Sequence, residues 1–430
     1  MVQKQIVSSE KTNKDENVYQ DEPKLRFPEF NDNWETLKLG DFLEFISTNS
    51  FSRAKLNLDD GKVKNIHYGD IHTKYPTIVD VEKEEIPFIN INEDTSKFKK
   101  EQFCKDGDLI IADASEDYAD IGKAIELINV NIDLVAGLHT ILARDKSNKT
   151  ATGFKGYLFL TDDLRKKIKI NANGISVLGI SKNNIANLDV RLPSKEEQEK
   201  ISSFLRAIDK KIELLEKKHL LITYEKEYYL NLFFNENTGK NSNNFKKVKL
   251  GDILSLQGGF NFDSRMFDKY SNNPVIKIGD IPHNLDLENF KGNFSKQNCG
   301  EKYKVKSGDI LIALSGATFG KSGKVSGNGI AFINQRVAKF ICKKCDTNYI
   351  FQLLNSSKFK KYLNTIPTSS AQPNISNKDI LNYPTFIPEL NKQIIIGNFL
   401  GNIDNQIELI EDKVFHMKRF KKFLLQKMFV

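Results

Sequence analysis

The chain's nearest approach to a reactive motif is Gly316-Ala-Thr-Phe-Gly-Lys-Ser322, which follows an apolar run and almost spells a phosphate-binding loop. A working loop needs Gly-x4-Gly-Lys-Ser/Thr, so that backbone amides wrap the phosphates and a helix follows. Ser315 stands where the first glycine belongs, and Gly323-Lys-Val-Ser-Gly-Asn-Gly329 is a poor helix former, so nucleotide hydrolysis is not expected. Cys342-Lys-Lys-Cys345 has zinc-like spacing, yet a structural zinc takes four ligands and no second Cys-x2-Cys or histidine pair accompanies it. Asp113, Glu116, Asp117 and Asp120 cluster after an apolar run but lack the lysine of a nuclease Glu-x-Lys, which reads as a solvated or DNA-facing loop. The six histidines show neither metal nor triad spacing. Transfer of a methyl group to a base nitrogen needs Pro-Pro-aromatic after Asn, Asp or Ser to grip a flipped base. Asn272-Asn-Pro-Val275 comes closest and lacks the second proline and the ring. The expectation is a chain with no catalytic residues, no metal and no cofactor of its own.

What remains suits the edges of DNA bases. Arg pairs with guanine and Asn or Gln with adenine, each good bidentate pair giving ~1–3 kcal/mol of discrimination. In the second half of the chain the candidates are Ser315, Thr318 and Lys321, then Asn334, Gln335 and Arg336, then Ser369, Ser370 and Gln372. In the first half, the matching stretches carry Ser115 and Lys123, His139 and Thr140, and Asn173 and Ser176. Basic clusters at Lys97/Lys99/Lys100, Arg165/Lys166/Lys167/Lys169 and Lys358/Lys360/Lys361 fit either phosphate contact or an ordinary solvated face. A net charge of +8 favours a polyanionic partner without demanding one.

The elements that must position these residues occur twice. Trp34-Glu-Thr-Leu-Lys-Leu-Gly-Asp41 returns as Phe245-Lys-Lys-Val-Lys-Leu-Gly-Asp252. Tyr68-Gly-Asp-Ile71 returns as Ile278-Gly-Asp-Ile281, and Asp106-Gly-Asp-Leu-Ile-Ile-Ala112 as Ser307-Gly-Asp-Ile-Leu-Ile-Ala313. Each Gly-Asp pair reads as a tight turn feeding a buried strand. The closing segments then keep one register: Pro193 and Gln198 lie 195 positions before Pro388 and Gln393, with no gap to the end. Ile201, Leu205, Ile208, Ile212 and Leu215 advance in steps of four and three, and so do Ile396, Leu400, Ile403, Ile407 and Ile410. That is a heptad seam, missed only at His219 and Lys226, on helices that open at a proline and run on the order of 60 Å. A single apolar stripe needs a partner, and the other copy is the obvious one.

The expected architecture is α+β, with two tandem α/β modules separated by two long helices that form an antiparallel coiled coil in a pseudo-twofold internal repeat. Its parts are a polar, disordered leader at 1–22, a first module at 23–192, a central helix at 193–234, a linker at 235–244, a second module at 245–387 and a closing helix at 388–430. Four scattered cysteines, no signal peptide and no apolar run of membrane length fit a protein of the reducing cytoplasm, without a membrane partner.

Two variable modules, each opened by Trp/Phe…Leu-Gly-Asp and closed by Ile-Ser…Ile…Pro…Gln…Ile…Phe-Leu…Ile-Asp…Ile-Glu-Leu, resemble the specificity subunit of a Type I restriction–modification enzyme. The resemblance spans about residues 23 to 430 and is most specific at Pro193–Lys218 and Pro388–Lys413; Arg26-Phe-Pro-Glu-Phe30 with Trp34 adds to it. It implies two target-recognition domains, each reading one half of an asymmetric, bipartite double-stranded DNA site. A Ser-Gly-Ala-Thr loop like that at 315–318 is common in such domains. The resemblance also implies two methyltransferase subunits docked on the helices and restriction subunits that join them. S-adenosylmethionine, ATP and magnesium then belong to those partners. The rival is a non-catalytic coiled-coil scaffold without DNA sequence specificity.

Overall fold

The structure is a computed structural model that describes residues 22–234, 245–366 and 374–430. All but the last residue of the expected leader, the whole linker at 235–244, and the candidates Ser369, Ser370 and Gln372 lie outside the described residues. The chain divides into two units, one running to Leu214 and including Val414–Val430, the other comprising Leu215–Lys413.

In the first unit a five-stranded sheet runs Leu43–Ile46, Thr140–Asp145, Leu109–Ala112, Ala124–Ile128, Ile78–Asp80, antiparallel until its last, parallel pair. The second unit repeats that order with Leu254–Gly258, Val337–Cys342, Ile310–Ala313, Ser322–Ser326 and Asn284–Asp286. Leu109–Ala112 and Ile310–Ala313, the runs after the Gly-Asp turns, are buried on both faces, as continuous apolar strands must be. A smaller sheet in each unit is built around a parallel pair, Lys64–Ile66 with Leu134–Ala136 and Asn273–Ile276 with Ala331–Ile333.

Each module is closed on itself by a two-stranded antiparallel ribbon that joins its opening motif to the segment before its helix. Glu35–Lys38 pairs with Asp189–Leu192, and Phe245–Lys249 with Pro384–Pro388. The Leu-Gly-Asp that follows makes one helical turn, whose Asp41 or Asp252 carboxylate accepts the N–H of Lys38 or Lys249 at 2.9 or 2.7 Å. Its glycine permits a close approach: a Cβ on Gly40 would sit 3.1 Å from the Ala186 carbonyl oxygen, and one on Gly251 3.3 Å from that of Leu381.

Two expectations are corrected. Gly69-Asp70 and Gly279-Asp280 do not feed strands: they lie in the helical turns Tyr68–Thr73 and Ile278–Asp280, which follow strands. The reason is local, because Asp280 accepts the N–H of Lys277 at 2.9 Å and Asp70 is gripped by both guanidinium nitrogens of Arg53. The prolines, in turn, precede the long helices instead of opening them; the helices run Lys195–Phe234 and Leu390–Lys427. Pro193 and Pro388 each offer a carbonyl to a buried glutamine one turn on, Gln198 at 3.0 Å and Gln393 at 2.8 Å. The same glutamines accept N–H bonds from Ala151 and Asp346, tying each helix to the module before it.

Ile201, Leu205, Ile208, Ile212, Leu400, Ile403 and Ile410 are buried, and Leu215, Ile396 and Ile407 are half-buried. In the second unit Lys226 pairs with Asp404, and His219 with Glu411 at 2.9 Å, so residue numbers rise on one helix as they fall on the other. The two interruptions of the seam are therefore cross-helix polar contacts. Asp209 and Asp404 are repeat counterparts with matching surroundings. Asp209 takes Lys421 at 2.6 Å and the Tyr157 hydroxyl at 2.9 Å. Asp404 takes Lys226, the Gln352 amide at 2.6 Å and the His283 Nε2 at 3.1 Å. Burial alone pushes Asp404 up, but His283 and Lys226 outweigh it and hold the carboxyl below the usual carboxylate range.

The chain at or just beyond the end of each long helix supplies core residues of the modules. Phe429 packs edge-on against Trp34 at 6.4 Å and lies 5.4 Å from Phe154 within the first unit's core. Phe234, its counterpart on the first helix, packs 5.2 Å from Tyr349 in the second unit. Each module thus receives its closing ring from the other repeat, from the last residue of the first helix or from just beyond the second.

Candidate nucleic-acid interface

In both units the chain brings together the loops at one end of the central strands. Leu178–Gly179 pairs with Ala114–Ser115 just beyond strand Leu109–Ala112, and Asn374 bridges Ser315 just beyond Ile310–Ala313. Thr140 pairs with Ala112 and Val337 with Ala313, so His139 and Arg336 occupy the same place, one residue before the neighbouring strand. A third loop joins them from the smaller sheet: His72 Nε2 meets the Ala114 carbonyl at 3.0 Å, and the Thr318 hydroxyl donates to the Ile278 carbonyl at 3.1 Å.

The two surfaces then differ in chemistry. In the first unit His139 is exposed, and its backbone is in the left-handed region at φ 53°, uncommon for a residue with a side chain and a mark of a constrained loop. Its Nδ1 lies 3.4 Å from Asp113, and its ring stands edge-on to Tyr68 at 5.3 Å. Burial pushes the Asp113 carboxyl up, while His139 pulls the other way. In the second unit Arg336 is exposed and reaches the Asn374 side-chain oxygen at 3.3 Å, beside Ser315. A surface with a histidine, a carboxylate and a phenol cannot present the same donors and acceptors as one with a guanidinium, an amide and a hydroxyl.

The remaining candidates divide. Asn173, Ser176, Lys321 and Gln335 are exposed near these loop ends, while Ser315, Thr318 and Asn334 are half-buried. Lys123 is half-buried with its ammonium on the His72 carbonyl at 2.7 Å. Ser115 and Thr140 are buried, their hydroxyls given to Asp117 and Gly137 carbonyls at 2.9 and 2.6 Å, which withdraws both from any base edge. Asp113, from the acidic cluster read as a solvated or DNA-facing loop, stands at the first surface and Asn374 at the second, while Tyr68 was not among the candidates yet packs on His139. Tyr68 had one sequence signal: it is an aromatic residue where the other repeat has Ile278.

The near-phosphate loop runs from Gly316 straight into strand Ser322–Ser326, with no helix to face a phosphate. Among the described residues, no three His, Cys, Asp or Glu side chains gather to hold a metal ion, and no helix is long and apolar enough to cross a membrane.

Comparisons with known proteins agree with this duplicated plan. A relative from Methanocaldococcus jannaschii, the Type I restriction enzyme MjaVIII specificity subunit, is 25% identical over 429 residues, covering 93% of this chain and 92% of its own. The crystal structure of the Type I restriction-modification system S subunit from M. genitalium superimposes with a TM-score of 0.62 at 12% identity, covering 95% of this chain and 99% of that one. A chain from a structural study of type I restriction-modification complex assembly and conformational transition gives 0.52 at 14% identity, over 92% of this chain and 97% of its own. These structural likenesses support the fold. Residues 31–224 and 242–414 both match the Type I restriction modification DNA specificity domain, and with that pair covering most of its length the chain belongs to the Type I restriction–modification specificity family.

Proposed function

We propose that this chain is the DNA-specificity subunit of a Type I restriction–modification system, reading a bipartite, asymmetric double-stranded site with one module per half and doing no chemistry itself. The observation that carries this reading is the pair of loop surfaces: the same scaffold, built twice, presents His139, Asp113 and Tyr68 in one unit and Arg336, Asn374 and Ser315 in the other. Identical surfaces would suit a palindrome; these suit two different half-sites. Much of the affinity comes from phosphate neutralisation, and so falls steeply with salt.

The helices serve as spacer and docking platform for two methyltransferase subunits, with restriction subunits joining that core. Exposed apolar residues support this: Leu220, Tyr224 and Tyr228 on the first helix, and Phe415, Phe420 and Phe423 on the second. The coiled-coil scaffold alternative gains nothing from these residues that methyltransferase docking does not explain. S-adenosylmethionine, ATP and magnesium are assigned to the partners, and the working compartment to the cytoplasm. The test is co-expression with a Type I methyltransferase subunit from the same source, followed by genome-wide mapping of modified adenines. One two-part motif with a constant gap is expected; a palindrome, or no motif, would overturn the reading.

A further inference from the structure

We propose that Ile175 reads a thymine in the half-site of the first module, through the 5-methyl group of the base. The inference rests on the DNA-reading function above and assigns one contact within it. Ile175 is 103% exposed, at the tip of a short loop that also exposes Val177. A single exposed isoleucine is ordinary on a protein surface. This one is held in place. Asn173 and Gly179 exchange both backbone hydrogen bonds, at 2.9 and 2.7 Å, and the Asn184 amide ties down the Asn171 carbonyl at 2.8 Å. Gly174 bends the tip at φ 131°, where a Cβ would lie 2.0 Å from the Val177 carbonyl oxygen, so only glycine allows this shape.

The finger springs from the loop surface described above. Its base pairs with Ala114–Ser115, and the Ile180 N–H donates at 2.9 Å to the carbonyl of Asp113, the residue that faces His139. Around the tip stand Asn173 and Ser176, with Lys166 and Lys182 exposed nearby in the chain. A protein or membrane partner would call for a broad apolar patch. An apolar tip flanked by the Asn173 amide and the Ser176 hydroxyl suits the major groove, where the thymine methyl is the apolar feature presented beside polar base edges.

The experiment uses the full chain with its methyltransferase partner and duplexes carrying the mapped target, each thymine replaced in turn by deoxyuridine. Binding is read by fluorescence anisotropy. One deoxyuridine position, in one half-site, should weaken binding about fourfold, the value of burying one methyl group. Ile175→Ser should bind the thymine duplex weaker by a similar factor and no longer distinguish thymine from deoxyuridine there. Gly174→Ala, which displaces the tip, should behave the same, with the circular dichroism spectrum unchanged. Equal binding of every deoxyuridine duplex by the parent chain overturns the proposal, as does an Ile175→Ser loss that is the same with and without the methyl. So does a 2-aminopurine signal showing a base step opened by Ile175, which would make the residue a wedge. Loss of all sequence preference in the parent chain would instead refute the DNA-reading function, and is distinguishable from each of these.

Discussion

Replacing Phe429 by alanine should loosen the first module, although the residue follows the second repeat's helix. Phe429 is 7% exposed, stands edge-on to Trp34 and lies against Phe154 in the first unit's core. Truncating a buried phenylalanine costs ~3–5 kcal/mol, and a helix end can relax around the loss, which favours the lower figure of ~3 kcal/mol. Hydrogen exchange followed by mass spectrometry reads this directly, since the exchange of core amides rises with the population of open states. At about 1.4 kcal/mol per tenfold, amides of strand Thr140–Asp145 and helix Phe154–Leu158 should exchange on the order of a hundredfold faster. Peptides from Val337–Cys342 and Thr347–Asn355 should not change. Phe234→Ala should give the mirror image, loosening the second module, because Phe234 packs on Tyr349. If Phe429→Ala loosened only its own repeat's strands, or moved no amide more than threefold, the crossed packing would be wrong.

Asp404→Asn should flatten the acid limb of stability. The Asp404 carboxyl is held below its unfolded value of about 3.9, so its contribution is full above that pH and is lost as pH falls through the lower folded value. Denaturation midpoints of parent and variant should therefore differ at pH 7 and converge toward pH 3; a constant gap would refute the assignment. Gln198→Ala should cost about 1–3 kcal/mol in denaturant unfolding, because it strands the buried Ala151 N–H, and a neutral result would show that water takes over the bond. Arg336→Ala should reduce discrimination at one base pair by ~1–3 kcal/mol while leaving the salt dependence of binding nearly unchanged. Equal weakening on every sequence would instead make Arg336 a phosphate contact.

The helices were more legible in the sequence than the loops because a periodic burial pattern repeats one physical demand many times. Ile201 to Ile212 needed only spacing to be placed in the seam. The interruptions at His219 and Lys226 were visible too, but their meaning was not, since their partners Glu411 and Asp404 lie almost a full repeat away. The loop surfaces depend on which hydroxyls are consumed locally. Nothing in the composition of Gly137-Leu-His-Thr140 says that Thr140 folds back on Gly137 while His139 turns outward in the left-handed region. Tyr68 escaped for a related reason, as it reaches His139 only through the pairing of two parallel strands.

The exchange of aromatic rings between repeats also orders events on the ribosome. The second module is synthesised after Phe234, so the ring that packs on Tyr349 is already available when its strands emerge. The first module is synthesised without Phe429, and at roughly 5–20 residues per second it waits some tens of seconds for that ring. During translation the first module is therefore the later of the two to complete its core. A released chain truncated before residue 429 should expose its first module to protease while its second module stays protected.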